Sequence, residues 1–362
     1  MVEAQLSEAL PDFGLDISVL PHGQTIVTHL GSVRTVVAMH DTEQLDPPAP
    51  LDGSVVDVLV VGGSIAGLTA AVVLGRACRS VLVVDAGHPM NEAVAHSQGF
   101  PSRDGIAPGE LTALVRAEAE GYGVRAVDGK VTSIVAVPNP APGLEHFAAT
   151  LADGTVVGAR RVLLATGGWF PLPDLPGLAE VWGTDAANCP YCHGWELRDR
   201  PLAILGDPVR TAHLAPVLTQ WSKDVVAFVP ADAEGDATGI SLAKARRAGV
   251  VVDHRAPVRV VLDDEGGLAG IEVEGGDVVA ARGLFVSATI QPHNELAVAL
   301  GAEIDPIGAI VADREGVTSV PGLYAAGQST DGTHQLTGAA DAGTRAARML
   351  NFDLFDDDLD AR

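Results

Sequence analysis

The segment between residues 55 and 85 constrains the fold of this 362-residue chain more than any other part of it. Its first residues, Val55–Val61, form a β-branched apolar run that is typical of a buried parallel strand. A glycine turn at residues 62–67 then leads into a helix rich in alanine and leucine, and a second apolar strand ends at Asp85. This order of strand, glycine turn, helix, strand and acid is the fingerprint of a dinucleotide-binding βαβ unit. The sequence therefore predicts an α/β fold built on a parallel sheet.

The glycine turn predicts how this unit holds a dinucleotide. Backbone amides at the N-terminus of the helix would bind the pyrophosphate, and the Asp85 carboxylate would bind a ribose hydroxyl. Ser64 stands where the usual pattern has a second glycine, so the approach to the pyrophosphate is slightly altered. A glycine turn that binds no nucleotide is the alternative interpretation. The turn residues predicted to contact the dinucleotide are Gly62, Gly63, Ser64, Ala66 and Gly67.

A second strand-turn-helix unit begins at residues 201–206 but lacks the glycine fingerprint. Asp207 puts a negative charge where a pyrophosphate would lie, and Pro208 removes one amide donor. Residues 230–240 contain no lysine or arginine that could bind a 2′-phosphate. This unit is therefore predicted to be a second dinucleotide-type lobe whose nucleotide site is eroded.

Two of the chain's three cysteines, Cys189 and Cys192, are separated by two residues. This spacing suits a disulfide that opens and closes, because the first turn of a helix lowers the pKa of one thiol and keeps the other within reach. Half of a zinc site and two unpaired core thiols are the alternatives. A structural zinc site needs four ligands, and the remaining cysteine, Cys78, lies far upstream. The pair is therefore predicted to be redox-active, and no metal site is expected.

The charge balance restricts the partners of the protein. The chain has 23 basic and 47 acidic residues, which gives a formal net charge of −24. Phosphate backbones and anionic membrane surfaces attract basic patches, so neither nucleic acid nor a membrane is expected as a partner. Apolar runs are too short or too interrupted by glycine to span a bilayer, and no signal peptide is recognisable in the acidic first residues. With three cysteines in all, a reducing, cytoplasmic location is expected.

Three further segments have simpler interpretations. Residues 15–20 and 33–38 are predicted to be short strands in an N-terminal extension, residues 1–54, which is either a small docking flap or a poorly ordered segment. The irregular loop at residues 87–103 is too polar for a core, and loops held on a rigid scaffold often line sites. Residues 250–287 are predicted to form a β meander with glycine-rich turns.

Taken in order, these features resemble the low-molecular-weight thioredoxin reductase family over about residues 55–350. The cysteine motif is specific by itself, whereas the other landmarks are specific only in combination. The landmarks are the turn at residues 62–67 with Asp85, the strand end Ala165-Thr166-Gly167, the pair Cys189 and Cys192, and Ala326-Gly327 followed by His334-Gln335.

The resemblance implies two dinucleotide-binding, Rossmann-like domains of the three-layer ββα type, with the second inserted into the first. The FAD-binding domain would comprise residues 55–171 and 292–350, and residues 172–291 would form the inserted domain with the nicotinamide-type site and the disulfide. Residues 1–54 would be an extension, and residues 351–362 an acidic tail that ends in solvent. Relatives of this type are commonly homodimers.

The resemblance also assigns roles to single residues. Cys192 would face the flavin, and Cys189 would exchange with the substrate. His193 stands where reductases usually place an acid, and an imidazole there could take or return the thiol proton near neutral pH. Gln335 matches a position that contacts the isoalloxazine ring, and Gln328 replaces an aspartate that normally binds the ribityl chain. The remaining positions implied to contact FAD are Ala165, Thr166, Gly167, Gly327 and Leu336.

The motif Cys-Pro-Tyr-Cys-His-Gly and the eroded second lobe are most similar to the gliotoxin- and holomycin-type dithiol oxidases and their bacterial relatives. Those enzymes pass electrons from a dithiol through cysteines and flavin to oxygen, without needing nicotinamide. The resemblance thus implies FAD as the cofactor, leaves NAD(P)H doubtful, and leaves the direction open between a dithiol oxidase and an NAD(P)H-dependent reductase. The substrate would be a small dithiol or disulfide, or a thioredoxin-like protein. A flavin-binding redox sensor is the alternative from a non-enzymatic class.

Overall fold

The computed structural model describes residues 55–137, 146–235 and 239–360, together with the backbone of strands that precede them. In chain order, the strands and helices are β1 (Leu15–Val19), β2 (Thr25–His29), β3 (Arg34–Val37), β4 (Val55–Val61), α1 (Ile65–Arg76), β5 (Val81–Asp85), α2 (Pro108–Glu120), β6 (Arg125–Asp128), β7 (Val131–Ala136), β8 (Phe147–Leu151), β9 (Val156–Leu164), β10 (Gly168–Trp169), α3 (Leu178–Val181), β11 (Ala186–Ala187), α4 (Pro190–His193), β12 (Leu202–Gly206), α5 (Pro208–Leu218), β13 (Val225–Phe228), α6 (Ala243–Arg247), β14 (Val251–Asp253), β15 (Pro257–Leu262), β16 (Leu268–Val273), β17 (Val278–Ala280), β18 (Gly283–Ser287), β19 (Gln291–Pro292), α7 (Glu295–Ala299), β20 (Leu323–Ala325) and α8 (Leu336–Asp360).

The chain divides into two compact units, Met1–Pro50 and Leu51–Arg362. In the first unit, β2 pairs with both β1 and β3, and both pairings are antiparallel. The strands predicted at residues 15–20 and 33–38 are confirmed as β1 and β3. Strand β2 does not follow from the sequence pattern, because only Ile26 and Val27 of its five residues are aliphatic.

The largest sheet is built around β4 and β9. Strands β6, β5, β4 and β9 run parallel in that order, and β20, which comes from the C-terminal part of the chain, also pairs with β9 in parallel. Strands β8 and β7 extend the sheet beyond β9 with antiparallel pairing. Val58, Leu59 and Val60 of β4 are fully buried, as expected for a strand that is covered on both faces. The βαβ unit predicted from the glycine turn is confirmed as β4, α1 and β5.

A second sheet consists of parallel strands in the order β11, β18, β12, β13 and β14, and a separate antiparallel sheet contains β15, β16 and β17. The β meander predicted for residues 250–287 is therefore correct only for β15–β17. Strands β14 and β18 join the parallel sheet instead. Every residue of Gly283–Ser287 is buried, which is the pattern of a central parallel strand and not of a half-exposed meander.

The chain passes between the two larger sheets at a short antiparallel pairing of β10 with β19. Beside it, the Thr166 hydroxyl donates a hydrogen bond to the His293 carbonyl oxygen, 2.7 Å away. The predicted α/β class with two dinucleotide-type lobes is confirmed by this topology. The boundaries predicted near residues 171 and 292 stay a prediction. Within the described residues, no helix is long and apolar enough to cross a bilayer.

The C-terminal helix α8 runs to Asp360 and does not end near residue 350. The acidic residues after position 350 were expected to be solvated, but Asp353, Asp357 and Asp358 pair with arginines of β9 and of the turn after α1. Arg160 and Arg161 are adjacent in β9, and both side chains are almost fully buried. The ion pairs, with nitrogen–oxygen distances of 2.6–2.8 Å, are Arg79–Asp358, Arg160–Asp57, Arg160–Asp358, Arg161–Asp353 and Arg161–Asp357.

This pairing favours the ionised form of the Asp353 and Asp358 carboxyl groups. The hydrogen bond from Arg79 lowers the pKa of Asp358. Burial acts to raise the pKa of Asp353, but the hydrogen bond and the charge of Arg161 outweigh it, so that pKa is also lowered. A carboxyl group whose pKa is lower in the folded state stabilises the fold above its ordinary pKa, and this stabilisation is lost as the pH falls through the lowered value. The pairs of Asp353 and Asp358 should therefore contribute fully above about pH 4 and lose this contribution progressively as the pH falls below it.

Replacing Arg161 with alanine is expected to lower the free energy of unfolding by about 2–4 kcal/mol, because two carboxylates lose a buried partner. The loss is below that of a fully buried pair, since the Asp353 and Asp357 side chains are 34% and 26% exposed. Urea denaturation measures the change. Arg259→Ala is the control, because it removes a 2.7 Å pair from an arginine that is 52% exposed and should cost under about 1 kcal/mol. Equal losses would contradict this role of Arg161.

Candidate active site

The redox pair lies at the start of the short helix α4. Cys189 is the residue before the helix, Cys192 is in its first turn, and the two form a disulfide with a Cα–Cα distance of 5.3 Å. The backbone amides of Cys192 and His193 both donate to the Cys189 carbonyl oxygen, at 3.1 and 3.2 Å. The predicted disulfide is confirmed. Among the described residues, no group of three His, Cys, Asp or Glu side chains is arranged to hold a metal ion.

Position 194, directly after the helix, has no room for a side chain, so only glycine fits there. A Cβ at this position would lie 2.5 Å from the Pro190 carbonyl oxygen and 2.8 Å from the Trp221 ring. The same Trp221 ring makes an edge-to-face contact with Tyr191, with centroids 5.6 Å apart. Trp221 thus packs against the redox helix at Tyr191 and Gly194. The motif gave no signal for it, because it lies 27 residues further along the chain than Gly194.

His193 directly follows Cys192 at the end of the redox helix. Its Nδ1 atom is buried and has no hydrogen-bond partner among the described residues. Burial lowers the pKa of His193 below its ordinary value, and the nearby charge of Glu196 opposes this effect only in part. The imidazole is therefore uncharged near neutral pH, so it can accept a proton from a cysteine thiol.

Two adjoining cavities connect the disulfide with the glycine turn. The first, of about 300 Å³, contains both cysteine sulfurs in its lining, and the second, of about 420 Å³, is lined by the end of β5. They share five lining residues, so they form one long groove. The shared residues are Ser64, Met90, Ala165, Gly167 and Gln328.

Nearly all of the predicted site residues line this groove. The exception is Gly67, which lies inside α1 where a Cβ would collide with the Gly62 carbonyl oxygen, so the structure gives Gly67 a packing role. The predicted residues that line the first cavity are Ser64, Ala66, Ala165, Gly167, Cys189, Cys192, His193, Gly327, Gln328, Gln335 and Leu336. Those that line the second are Gly62, Gly63, Ser64, Asp85, Ala165, Thr166, Gly167 and Gln328. Their roles toward a cofactor stay a prediction.

Other residues line the first cavity without having been singled out in the sequence. Phe170 and Trp182 stack with ring centroids 5.2 Å apart. Met90 and Asn91 belong to the polar loop at residues 87–103, whose composition did indicate a segment that lines a site. The aromatic pair had no comparable signal, because single aromatic residues in sequence are more often part of a core.

The residues of the groove fit a dinucleotide. The amides at the N-terminus of α1 have no side-chain cap, since Ser64 makes no capping hydrogen bond, so they remain available to a pyrophosphate. Gly63 allows the chain to pass close to Asp85, because a Cβ there would lie 2.6 Å from the Asp85 side chain. The Asp85 carboxylate can then reach a ribose hydroxyl from the end of β5.

The corresponding turn of the second lobe differs in the way that its sequence indicated. The Asp207 side chain accepts a hydrogen bond from the Arg210 amide, at 2.8 Å, and so caps the N-terminus of α5. Beyond β13, Glu234 binds both terminal nitrogens of Arg246, at 2.6 and 2.7 Å. These hydrogen bonds lower the pKa of Glu234 to about 2. One amide of this turn, that of Arg210, and the nearby cation of Arg246 are therefore already paired within the chain.

A parallel-sheet fold with a redox disulfide at one end of a dinucleotide groove defines a disulfide oxidoreductase of the flavoprotein type. The family model described as pyridine nucleotide-disulphide oxidoreductase matches residues 56–343, and the chain belongs to this family as a thioredoxin reductase-like member. Membership implies a flavin and usually NAD(P)H. The resemblance inferred from the four landmarks is thereby confirmed.

The chain is also similar to individual relatives and to a solved structure. Thioredoxin reductase tcpT of Claviceps purpurea is 30% identical over 314 residues, which cover 84% of this chain and 96% of that protein. A shorter match, to the "Probable thioredoxin reductase" of Arthroderma benhamiae, is 36% identical over 174 residues, 48% of this chain and 43% of the relative. A solved structure titled "Crystal structure of HlmI" superposes with a TM-score of 0.79 at 39% identity and covers 84% of this chain and 94% of its own.

Proposed function

We propose that this protein is an FAD-dependent dithiol oxidase, which oxidises a small dithiol at the Cys189–Cys192 pair and passes the electrons through flavin to oxygen. The observation that carries this direction is the cap on α5. The Asp207 carboxylate occupies the N-terminus of α5, whereas the N-terminus of α1 has no side-chain cap. FAD therefore has a helix N-terminus to bind, and NAD(P)H does not.

The groove provides a place for each part of FAD. The N-terminus of α1 would bind the pyrophosphate, Asp85 the adenosine ribose, and the segments that contain Gly167 and Gln328 would lie along the middle of the molecule. Gln335 and the disulfide would lie at the flavin end. When bound, FAD supplies a two-electron acceptor that oxygen can reoxidise.

The cysteines and His193 would carry out the thiol chemistry. A substrate thiolate attacks the Cys189 sulfur, which breaks the disulfide and forms a mixed disulfide with Cys189, while Cys192 leaves as a thiolate. The second substrate thiol then attacks the mixed disulfide and releases the product disulfide. The substrate loses two electrons, and the cysteine pair gains them. His193, half-buried and uncharged, accepts one of the protons that are released.

The organisation of the molecule is part of the same proposal. Residues 55–171 and 292–350 form the FAD-binding domain, and residues 172–291 the inserted domain, a division that the membership of the two larger sheets supports. The protein acts in the reducing cytoplasm, where an exposed free thiol such as Cys78 persists, and it assembles as a homodimer. An NAD(P)H-dependent reductase of a thioredoxin-like partner is the second candidate, because the second lobe retains its parallel sheet.

A small dithiol is expected to drive oxygen uptake by the purified protein, whereas NADPH alone is not. The reason is that the thiol route needs only the cysteine pair and flavin, while the nicotinamide route needs the turn that Asp207 caps. An oxygen electrode measures the uptake with dithiothreitol, and extraction identifies the bound flavin. Protein with both Cys189 and Cys192 replaced by serine is the control for oxidation that bypasses the pair. Oxygen uptake with NADPH at the rate seen with the dithiol would exclude the proposed direction.

A further inference from the structure

The side chain of Gln335 lies against the redox disulfide. Its Nε2 atom is 3.5 Å from the Cys192 sulfur and 3.8 Å from the Cys189 sulfur, within hydrogen-bonding distance for an amide donor and a sulfur acceptor. Gln335 immediately precedes α8, and helix α8 belongs to a part of the chain remote in sequence from the cysteines. The resemblance assigned this residue to the flavin ring, so its contact with the sulfurs is a separate observation.

The cavity around the sulfurs contains no formal charge from acidic or basic side chains. In a protein with a net charge of −24, the described residues that line this cavity include no aspartate, glutamate, lysine or arginine. Reactive thiolates in proteins are usually stabilised by a nearby cation or by a helix N-terminus. No lysine or arginine of the described lining can fill that role here, so the N-terminus of α4, a neutral donor and the histidines are the groups left to stabilise a thiolate.

The histidines of the cavity are directed elsewhere. His96 and His334 point Nδ1 at backbone carbonyl oxygens, at 2.9 and 3.3 Å. Burial lowers the pKa of His193, which makes a positive charge there unfavourable at neutral pH. The charge of Glu196 acts on His193, and the Asp331 carboxylate lies 4.0 Å from the Nε2 atom of His334. Among the described residues, Gln335 is the side chain that hydrogen-bonds to the sulfurs.

We propose that Gln335, after reduction of the disulfide, donates a hydrogen bond to the Cys192 thiolate and thereby keeps this sulfur ionised and in place. The proposal rests on the proposed function for the reduction step. In that step the Cys189–Cys192 bond breaks and the substrate disulfide forms. Cys189 takes up one of the two substrate protons as a thiol, and the other proton passes through His193 to solvent. The Cys192 sulfur is left as an anion. Hydrogen bonds to ionised acceptors are stronger than those between neutral groups, so the amide favours the thiolate over the thiol.

The test is the pH dependence of alkylation of Cys192 in the full-length protein as purified, with Cys189 replaced by serine. Iodoacetamide is the probe, and peptide mass spectrometry reports each cysteine separately. Adding Gln335→Leu is expected to shift the midpoint for Cys192 upward by about one to two pH units, the size of a lost hydrogen bond to a charged group. Gln335→Glu keeps the size of the side chain and should shift the midpoint upward at least as far, because its carboxylate repels the thiolate.

Two controls separate this effect from a general change in structure. Cys78 is exposed and free in the same molecules, and its alkylation profile should stay unchanged in every variant. Gln220→Leu makes the same substitution at an exposed glutamine outside the cavity lining, and it should leave the Cys192 profile unchanged. An unchanged Cys192 midpoint in both Gln335 variants would overturn the proposal for Gln335. A wild-type protein that binds no flavin or fails to oxidise dithiols would overturn the proposed function instead, because the alkylation profile needs neither property.

Discussion

The Cys192→Ser variant is expected to lose electron transfer from a dithiol to the flavin completely. Serine cannot form the disulfide with Cys189 that the substrate thiolate attacks. The remaining Cys189 is a free thiol, and a thiol cannot form a disulfide with a reduced dithiol unless an oxidant is present. Anaerobic flavin reduction by dithiothreitol measures the loss, and the expected rate is that of free flavin.

The partner variant, Cys189→Ser, distinguishes the two cysteines. It also loses turnover, but it leaves the Cys192 thiol 3.5 Å from Gln335 at the flavin end of the groove. A broad absorbance band at longer wavelength than the flavin's own bands is expected, because a thiolate would lie beside the ring. Cys78→Ser, at an exposed cysteine, should keep turnover within about twofold. The long-wavelength band in Cys192→Ser and not in Cys189→Ser would show that the two roles are reversed.

Replacing His193 with alanine is expected to reduce kcat for dithiol oxidation by about 10²–10⁴-fold, the usual contribution of a positioned acid or base. The pH profile gives the more specific result. Burial lowers the pKa of His193, with partial opposition from Glu196, so the neutral form persists to a lower pH than for an ordinary histidine. Wild-type kcat/KM should rise with pH through that lowered pKa and then level off, and the alanine variant should lack this rise.

A matched variant tests whether the loss of any histidine would have the same effect as the loss of His193. His213 is exposed on α5, and His213→Ala should leave both the rate and the pH profile unchanged. His193→Gln retains a hydrogen-bonding side chain of similar size but cannot carry a proton, so it should behave like the alanine variant. Retention of the wild-type rise with pH in both His193 variants would mean that another group accepts the thiol proton.

The local part of the fold was predictable from the sequence because its signals are local. The strand, turn, helix and strand between Val55 and Asp85 specify the βαβ unit within 31 residues, and the two-residue spacing of Cys189 and Cys192 fits one helical turn. Asp207 was recognised from its position after a strand. The structure also shows how Asp207 acts. Its carboxylate caps the N-terminus of α5, where a phosphate would otherwise bind.

The parts that sequence could not provide depend on contacts between distant segments. From sequence alone, the end of α8 is interpreted as an acidic, solvated tail. The structure instead brings it beside the buried Arg160 and Arg161 of β9. Trp221 under Gly194 and Gln335 against the disulfide are contacts of the same kind. No periodicity within one segment records such pairings, since each requires the tertiary fold to bring the two segments together.

Anaerobic stopped-flow reduction of the bound flavin tests the central claim most directly. The protein is mixed with dithiothreitol, NADPH or NADH, and the flavin absorbance at about 450 nm is followed. The account predicts that the dithiol bleaches the flavin much faster than NADPH does, and that NADH is no worse than NADPH, because residues 230–240 contain no cation for a 2′-phosphate and Arg246 is paired with Glu234. Rapid bleaching by micromolar NADPH, faster than by the dithiol, would contradict the account and show a working NADPH-dependent reductase.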